Sequence, residues 1–190
     1  THGKVVLENT HPILSENVAV VHNGIIENHD QIRLELKEKN IVFETTTDTE
    51  VIPHLLSLTM KKTKSFFDAC VSVVDKIQGA YAFAAIHSLN EEIFVARKTS
   101  PLVLGIGNGY NIVGSDAQSI SQMVGEVIYL NDGDYAILNK KNIKIYDSDN
   151  KRVEREKINI KSNLNFLNKG GFKHFMEKEI HEQPNVLINT

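Results

Sequence analysis

The sequence predicts an α+β domain with layered antiparallel sheets. Up to about residue 78, segments with the helical spacing of apolar residues stand between short β-branched runs. From Gly79 onward, short apolar runs follow one another and are separated by turn residues, with few helical segments between them. A parallel doubly wound sheet would instead alternate strands and helices along the whole chain, so the order of segments favours the α+β class.

The composition is that of an ordinary folded protein and excludes several function classes. The 190 residues are 41% hydrophobic and 24% charged, with a formal net charge of −3, so we expect neither a disordered chain nor a nucleic-acid-binding surface. No apolar run approaches the roughly 20 residues that span a bilayer, and the start has no signal-peptide pattern. The single cysteine, Cys70, cannot form an internal disulfide. We expect a cytoplasmic protein without membrane or nucleic-acid partners.

The first predicted elements are a strand and a helix. Residues 17–22 form an apolar, β-branched run before Asn23-Gly24, which predicts a buried strand that stops at a tight turn. An N-cap pattern, in which Gln31 stands three residues after an asparagine, predicts a helix over residues 28–40. Residues 41–43 then predict a short strand.

Two further helices are predicted by the capping patterns at their starts. Thr47-x-x-Glu50 matches the capping box, which places Asp48 in the first helical turn. Ser65, followed by Asp68, begins the next helix. The predicted inner faces are Val51, Ile52, Leu55 and Leu56 in the first helix and Phe66, Phe67, Cys70, Val71, Val74 and Ile77 in the second.

The second half of the chain predicts strands. Its apolar runs are residues 80–87, 93–97, 102–106, 110–113, 127–130, 135–138 and 143–146. The first two runs predict a β-hairpin. After residue 147 the chain becomes charged. We expect an extended connector over residues 151–168 and a short polar helix over residues 174–183.

Three patterns that look functional are better explained by structure. The histidines near the N-terminus lack the spacing of zinc ligands. Gly105-x-Gly107-x-Gly109 precedes a strand where a dinucleotide-binding motif needs a helix, so a hairpin turn is favoured. Cys70 lies on an apolar helix face, which indicates a buried structural thiol. We expect neither a metal nor a cofactor.

Asn23-Gly24 and Asp48 each have two interpretations. Asn-Gly is a common hairpin turn, but an asparagine amide and the following glycine N–H are also the donors that an oxyanion hole needs. Glycine would let a substrate approach the backbone closely. Asp48 is either a carboxylate that stabilises a helix start or a group that holds a substrate ammonium.

Four blocks of the sequence resemble the class II glutamine amidotransferases. The His-Asn-Gly and Thr-Asp-Thr-Glu motifs are shared widely in that family, and the block that ends in Glu-Gln-Pro resembles its aminosugar-forming branch, the glutamine–fructose-6-phosphate aminotransferases. The resemblance covers nearly the whole chain. The four blocks are Thr1-His2-Gly3 and residues 20–28, 47–52 and 174–184.

The resemblance implies a four-layer αββα sandwich of the N-terminal-nucleophile hydrolase type and L-glutamine as substrate. In the family, an N-terminal cysteine attacks the side-chain amide with its own α-amine as base, and ammonia leaves as a thioester intermediate forms. Asn23 and Gly24 match the oxyanion donors. Asp48 matches the residue that binds the α-ammonium, and Thr1 and His2 match the block beside the α-carboxylate.

The chain departs from the family pattern at its start. The family's nucleophilic cysteine and an Arg-Trp pair lie upstream of Thr1, and Cys70 does not match the nucleophile. We therefore expect residues 1–160 to be an incomplete glutaminase domain that is inactive alone. Residues 161–190 are expected to connect it to a sugar-isomerase domain that takes fructose 6-phosphate, in a full-length enzyme that self-associates.

Other interpretations stay open from the sequence alone. Thr1 could be an N-terminal nucleophile in its own right, although the residues after it lack a strand pattern. The chain could also belong to the amidophosphoribosyltransferases, which share the His-Asn-Gly motif, or be a non-catalytic module of the same fold.

Overall fold

The computed structural model describes residues 3–63, 65–160, 172–174, 176–178, 180–181 and 183. In this part of the chain, antiparallel strands form two sheets with helices on their outer faces. Within residues 3–160 the α-helices are α1 (His29–Lys37), α2 (Val51–Met60), α3 (Phe66–Val74) and α4 (Ala117–Ile120). In the predicted polar helix over residues 174–183, residues 176–178, 180–181 and 183 are helical. The strands are β1 (Ile13–Ser15), β2 (Val18–Ile26), β3 (Gly79–His87), β4 (Ile93–Lys98), β5 (Val103–Ile106), β6 (Asn111–Gly114), β7 (Glu126–Tyr129), β8 (Tyr135–Leu138), β9 (Ile143–Tyr146), β10 (Arg152–Val153) and β11 (Lys157–Asn159).

The two sheets stack face to face and give the molecule four layers. The larger sheet has the order β1-β2-β3-β4-β8-β9-β10, and the smaller one has the order β11-β7-β5-β6. Residues of α1, α2 and α3 pack on one face of the larger sheet. A second apolar cluster fills the space between the sheets, and a third joins α4 to the outer face of the smaller sheet. The predicted α+β class and αββα layering are confirmed.

The two helices with predicted apolar faces form as expected. Ser65 caps α3, because its side chain accepts a hydrogen bond from the Asp68 N–H at 3.1 Å. The inner face of α2 is buried at all four predicted positions. Of the six positions predicted for α3, Phe66 and Cys70 are buried in the helix and Ile77 is buried beyond its end, whereas Phe67, Val71 and Val74 are only partly buried against the same core. These faces cover the β2–β3–β4 part of the larger sheet, so local periodicity was sufficient to place them.

The predicted turn at Asn23-Gly24 is wrong, because β2 continues through both residues to Ile26. β3 lies antiparallel to it and pairs with β2 along its whole length, with Gly24 opposite Tyr81. Gly24 has a φ of +114°, which glycine adopts without steric cost, so the chain does not have to leave the ladder there. The strand therefore carries Asn23 and Gly24 within a sheet.

The predicted helix over residues 28–40 is shorter, and the predicted strand over residues 41–43 is absent. α1 ends at Lys37, and the Ile41 N–H bonds back to the Leu36 carbonyl around Asn40, whose φ is +63°. This is a helix C-terminal motif with asparagine in the left-handed conformation. Residues 41–45 have no strand partner in the structure. At the other end of α1, the side chain of Asn28 makes no capping bond.

The capping box at Thr47 and Glu50 forms only in part. The Thr47 side chain accepts from the Thr49 N–H at 3.3 Å, and residues 48–50 make one 3₁₀ turn before α2. Glu50 does not close the box, because its carboxylate accepts the N–H groups of Glu44 and Thr45 instead. The N–H groups of the neighbouring loop thus bind the carboxylate that, in a complete capping box, would accept the Thr47 N–H.

The predicted strands from Gly79 to Tyr146 form with bounds close to those expected, but the connector prediction is wrong for residues 152–153 and 157–159, which form strands. β10 pairs with β9, and β11 pairs with β7. The charged residues between and within them gave no strand pattern, because these short edge strands have one side in solvent. The remainder of that predicted connector, residues 161–168, lies outside the described residues.

Candidate functional site

A cavity of about 320 Å³ lies where β2 meets the 3₁₀ turn that precedes α2. The residues that line it come from the N-terminal loop, from β2 and from that turn. They are Gly3, Lys4, Val5, Val6, Asn9, Thr10, His11, His22, Asn23, Gly24, Thr47, Asp48 and Thr49. Asn23, Gly24 and Asp48, which the sequence singled out, thus share one cavity, while Thr1 and His2 lie outside the described residues.

Asp48 is a buried carboxylate in the wall of the cavity. Its residue is only 1% exposed. The Ile26 N–H donates to Oδ2 at 2.7 Å, and the Thr47 hydroxyl donates to Oδ1 at 3.2 Å. The first bond ties the 3₁₀ turn to the end of β2, two residues beyond Gly24. Hydrogen bonds of this kind hold a buried carboxylate in one orientation.

Asn23 and Gly24 lie on the exposed part of β2 at the cavity. A side chain at Gly24 has no room, because an added Cβ would lie 2.1 Å from the Ala80 carbonyl oxygen on β3. Glycine is therefore required here by contact as well as by conformation. The catalytic and binding roles of these residues stay predictions.

Two histidines meet at the cavity through one threonine. Thr49 Oγ1 lies 2.9 Å from His22 Nδ1 and 3.1 Å from His11 Nε2. His22 is 5% exposed, and burial lowers its pKa to about 4, although the Asp48 carboxylate acts in the opposite direction and His11 adds to the lowering. Burial also lowers the pKa of His11. Both rings are therefore neutral at pH 7.

An Arg33–Glu50 brace, defined by those two side chains, holds the loop that leads into Asp48. Arg33 donates to the carbonyls of Thr45 and Thr47 at 3.1 and 2.8 Å, and its guanidinium lies 4.2 Å from the centre of the Phe43 ring. From the other side, Glu50 accepts the Thr45 N–H at 2.9 Å. Sequence reasoning missed this brace and His22. The inward alternation of Val18, Val20 and His22 was a signal for the histidine.

The N-terminal loop is fixed against the same region by Asn9. Its amide donates to the Lys4 carbonyl and to the Thr46 hydroxyl, both at 2.8 Å, and its oxygen accepts the Thr46 N–H at 2.9 Å. Gly3 stands beside this contact with a φ of +92°. One side of the cavity is therefore built by residues 3–11.

The lining offers an oriented carboxylate at Asp48, a lysine at Lys4 and uncharged donors and acceptors elsewhere, and the carboxylate suits a small ligand that carries a cationic amine. Among the described residues, no group of three or more histidine, cysteine or acidic side chains is arranged to hold a metal ion. The helices within the described ranges include none that is both long and apolar enough to cross a membrane.

Comparison with known families identifies the class to which this fold and cavity belong. A model described as glutamine amidotransferase domain matches residues 5–122, which is more than half of the chain and includes the whole described cavity except Gly3 and Lys4. The chain belongs to the glutamine amidotransferase domain family.

Within that family, the chain is similar to the enzyme named glutamine–fructose-6-phosphate aminotransferase (isomerizing). It is 42% identical over 192 residues to the protein of Pseudomonas putida and 44% identical over 192 residues to that of Idiomarina loihiensis. Each comparison covers 100% of this chain and 31% or 32% of the relative. The chain spans about a third of the length of the curated relatives that it matches.

Two solved structures share the fold. Glutamine phosphoribosylpyrophosphate amidotransferase from B. subtilis, complexed with ADP and GMP, is 27% identical with a TM-score of 0.62, over 76% of this chain and 33% of that chain. A structure described as the allosteric regulatory enzyme of purine biosynthesis is 26% identical with a TM-score of 0.61, over 74% of this chain and 31% of that chain. The N-terminal-nucleophile hydrolase fold of the class II amidotransferases is thereby confirmed.

Proposed function

We propose that this chain binds L-glutamine in the cavity and is the glutaminase part of a glutamine–fructose-6-phosphate aminotransferase. The single observation that carries the proposal is that Asn23, Gly24 and Asp48 line one cavity. The similarity to relatives of that name over the whole chain supports the particular enzyme over other amidotransferases.

In the proposed complex, Asp48 holds the α-ammonium group of glutamine. The carboxylate is buried and is held by two donors, so it meets a cation without having to reorganise. A pairing between a charged donor and a carboxylate is stronger than one between neutral groups. Thr1 and His2 would lie beside the α-carboxylate, at the other end of the amino acid.

Asn23 and Gly24 would serve the reacting amide. When a nucleophile adds to the amide carbon, negative charge develops on the carbonyl oxygen, and the Asn23 side-chain N–H and the Gly24 backbone N–H would stabilise it. Removing one donor of this kind typically costs about 2.7–4 kcal/mol in the transition state. As the tetrahedral species collapses, the C–N bond breaks, the leaving nitrogen takes up a proton and departs as ammonia, and the acyl group stays on the nucleophile.

The attacking group in this proposal lies outside the 190 residues. Cys70 does not suit the role, because it is fully buried in the core between the helices and the larger sheet, and burial raises its pKa well above the ordinary value. A thiolate is the reactive form of cysteine. We accordingly propose that residues 1–160 form the glutaminase domain without its nucleophile.

The whole-protein assignments are part of the same proposal. Fructose 6-phosphate would bind to a sugar-isomerase domain beyond residues 161–190, which would act as the connector. The complete enzyme would self-associate in the cytoplasm. The assignment of an isomerase domain rests on the relatives' names and on the motif at residues 174–184, of which residues 175, 179, 182 and 184 fall outside the described part. Self-association is carried over from the family resemblance.

The proposal is tested by the binding of L-glutamine to the purified chain and to its Asp48→Asn variant. We expect heat of binding with the unmodified chain and at least tenfold weaker binding with the variant, because the ammonium loses its charged partner. Asp30→Asn is the matched control, since the side chain of Asp30 is 87% exposed on α1. Equal binding by both variants would contradict the role of Asp48.

A second measurement concerns the chemistry. We expect no release of glutamate from glutamine by the chain alone, because the proposed nucleophile is outside it. Turnover that survives in a preparation checked by intact mass would refute this part of the proposal, and labelling of Thr1 by an electrophilic glutamine analogue would favour a threonine nucleophile instead.

A further inference from the structure

The hydroxyl of Thr49 is the centre of a small hydrogen-bond network. It lies 2.9 Å from His22 Nδ1, 3.1 Å from His11 Nε2 and 3.2 Å from the hydroxyl oxygen of Thr47. A threonine hydroxyl has one hydrogen to donate and two lone pairs to accept with. Three contacts therefore use its whole capacity, and Thr49 can donate to only one of its three neighbours.

The hydrogen of Thr47 decides which neighbour that is. The Thr47 hydroxyl oxygen lies 3.2 Å from Asp48 Oδ1 and also accepts from the Thr49 N–H at 3.3 Å. A carboxylate is a stronger acceptor than a neutral hydroxyl, so the single hydrogen of Thr47 goes to Asp48. With that hydrogen used, the 3.2 Å contact between the two hydroxyls is a hydrogen bond only if Thr49 donates its hydrogen to Thr47 Oγ1.

Both histidines must consequently donate to Thr49. With a pKa of about 4, His22 is neutral at pH 7 and carries one ring hydrogen, which this count places on Nδ1. His22 Nε2 then carries only a lone pair, and it has no hydrogen-bond partner among the residues that the structure describes. Orphaned buried N–H groups are rarer than under-satisfied acceptors, so this assignment also leaves the less costly atom unpaired.

We propose that His22 is a positioning residue that starts a one-way hydrogen-bond chain, from His22 Nδ1–H through the hydroxyls of Thr49 and Thr47 to the carboxylate of Asp48. Every donor in the chain points toward the carboxylate, and consecutive bonds of this kind polarise and strengthen one another. Because the ring is neutral, it orients Asp48 without cancelling its charge. The consequence for ligand binding rests on the proposed function, in which Asp48 holds an ammonium group.

The hydrogen assignment is tested by two-bond ¹H–¹⁵N correlation spectra of the histidine rings in the ¹⁵N-labelled chain at pH 7. We expect His22, assigned by the loss of its signals in His22→Gln, to be the Nδ1–H tautomer, which is the minor form of free histidine. Thr49→Val should shift it toward Nε2–H, whereas Thr63→Val, a matched change at a threonine that bonds only within its own helix end and turn, should not. An Nε2–H tautomer in the unmodified chain would overturn the proposal without any use of a ligand.

The positioning role is tested by binding of L-glutamine and of glutaramic acid, which is glutamine without its amine. We expect Thr49→Val to weaken L-glutamine binding about tenfold and to leave glutaramic acid unchanged, since only the amine contacts Asp48. Thr49→Ser, which restores the hydroxyl, should recover most of the affinity. Equal effects on both ligands, or no effect on either, would overturn the positioning role.

The two proposals fail in different ways. If the unmodified chain binds neither ligand, or if Asp48→Asn has no effect on L-glutamine binding, the proposed function and the positioning role are both refuted. The tautomer of His22 still tests the direction of the hydrogen-bond chain, because that measurement needs no ligand. If Asp48→Asn weakens binding but Thr49→Val does not, the proposed function stands and the positioning role is refuted.

Discussion

Gly24 shows how one residue fixes the local geometry of the cavity. Its φ of +114° lies where side chains are strained, and the Ala80 carbonyl oxygen occupies the place that a Cβ would take. Gly109, in the turn between β5 and β6, also has a positive φ, +83°, but an added Cβ there would meet nothing within 4 Å. A comparison of the two positions therefore distinguishes the effect of backbone strain alone, at Gly109, from the effect of strain combined with steric overlap, at Gly24.

We expect Gly24→Ala to lower the free energy of unfolding by about 3 kcal/mol and Gly109→Ala by about 1 kcal/mol. The first variant combines backbone strain with a clash against the backbone of β3, and the second has strain alone. Urea denaturation followed by circular dichroism measures both values. Similar losses in the two variants would show that the clash at Gly24 is relieved by a movement of β3.

At the scale of the element, the loop that enters α2 depends on the Arg33–Glu50 brace. Burial alone would raise the pKa of Glu50, but the hydrogen bonds from the Thr45 side chain, from the backbone of Glu44 and Thr45, and from His54 outweigh it, and the pKa of Glu50 lies below its usual value. The ionised form is therefore stabilised by folding. The Glu50 carboxylate thus accepts the backbone N–H groups of Glu44 and Thr45, which have no strand partner.

We expect Glu50→Gln to cost about 2 kcal/mol of stability at pH 7, because hydrogen bonds to a charged acceptor become weaker ones. The folded-state pKa is below the unfolded value of 4.5, so this stability is fully present above pH 4.5 and is lost as the pH falls through the folded-state pKa. The difference between the unmodified chain and the variant should shrink accordingly in urea titrations at decreasing pH. Glu91→Gln, at an exposed loop position, is the matched control and should show no difference at any pH.

At the scale of the whole molecule, the core beside the larger sheet is continuous from α1 to β8. It includes Ile32 of α1, Cys70 of α3, Phe94 of β4 and Tyr135 of β8, all buried. A second core lies between the sheets, so the larger sheet is covered on both faces over its central strands. Cys70 is fully buried in the first core and thus reports on the integrity of the packing.

We expect the Cys70 thiol to resist iodoacetamide in native buffer and to become reactive in urea together with the loss of helical circular dichroism. Burial both blocks access and raises its pKa, and alkylation needs the thiolate. Rapid labelling of the native chain would mean that α3 opens separately from the rest of the core. The chain in concentrated urea provides the reference for complete labelling.

Local pattern was sufficient for much of the fold. The inner faces of α2 and α3 follow from the spacing of their apolar residues, and the β3–β4 hairpin follows from two apolar runs around a polar turn. Such periodicities reflect contacts with a single neighbouring layer, so they can be recognised without knowledge of the rest of the tertiary structure. The motifs with Asn23, Gly24 and Asp48 could likewise be recognised in the sequence as candidates.

Only the tertiary structure decided how those candidates meet. Asp48 reaches the Ile26 N–H across 22 positions of sequence, and His11 reaches Thr49 across 38. The pairing of β2 with β3 overrode the turn preference of Asn23-Gly24, and donors from residues 44 and 45 took Glu50 from its capping box. Sequence by itself determined which residues were chemically suited to a site. Their arrangement required the packed sheets and helices, because hydrogen bonds between distant segments depend on positions that no local period encodes.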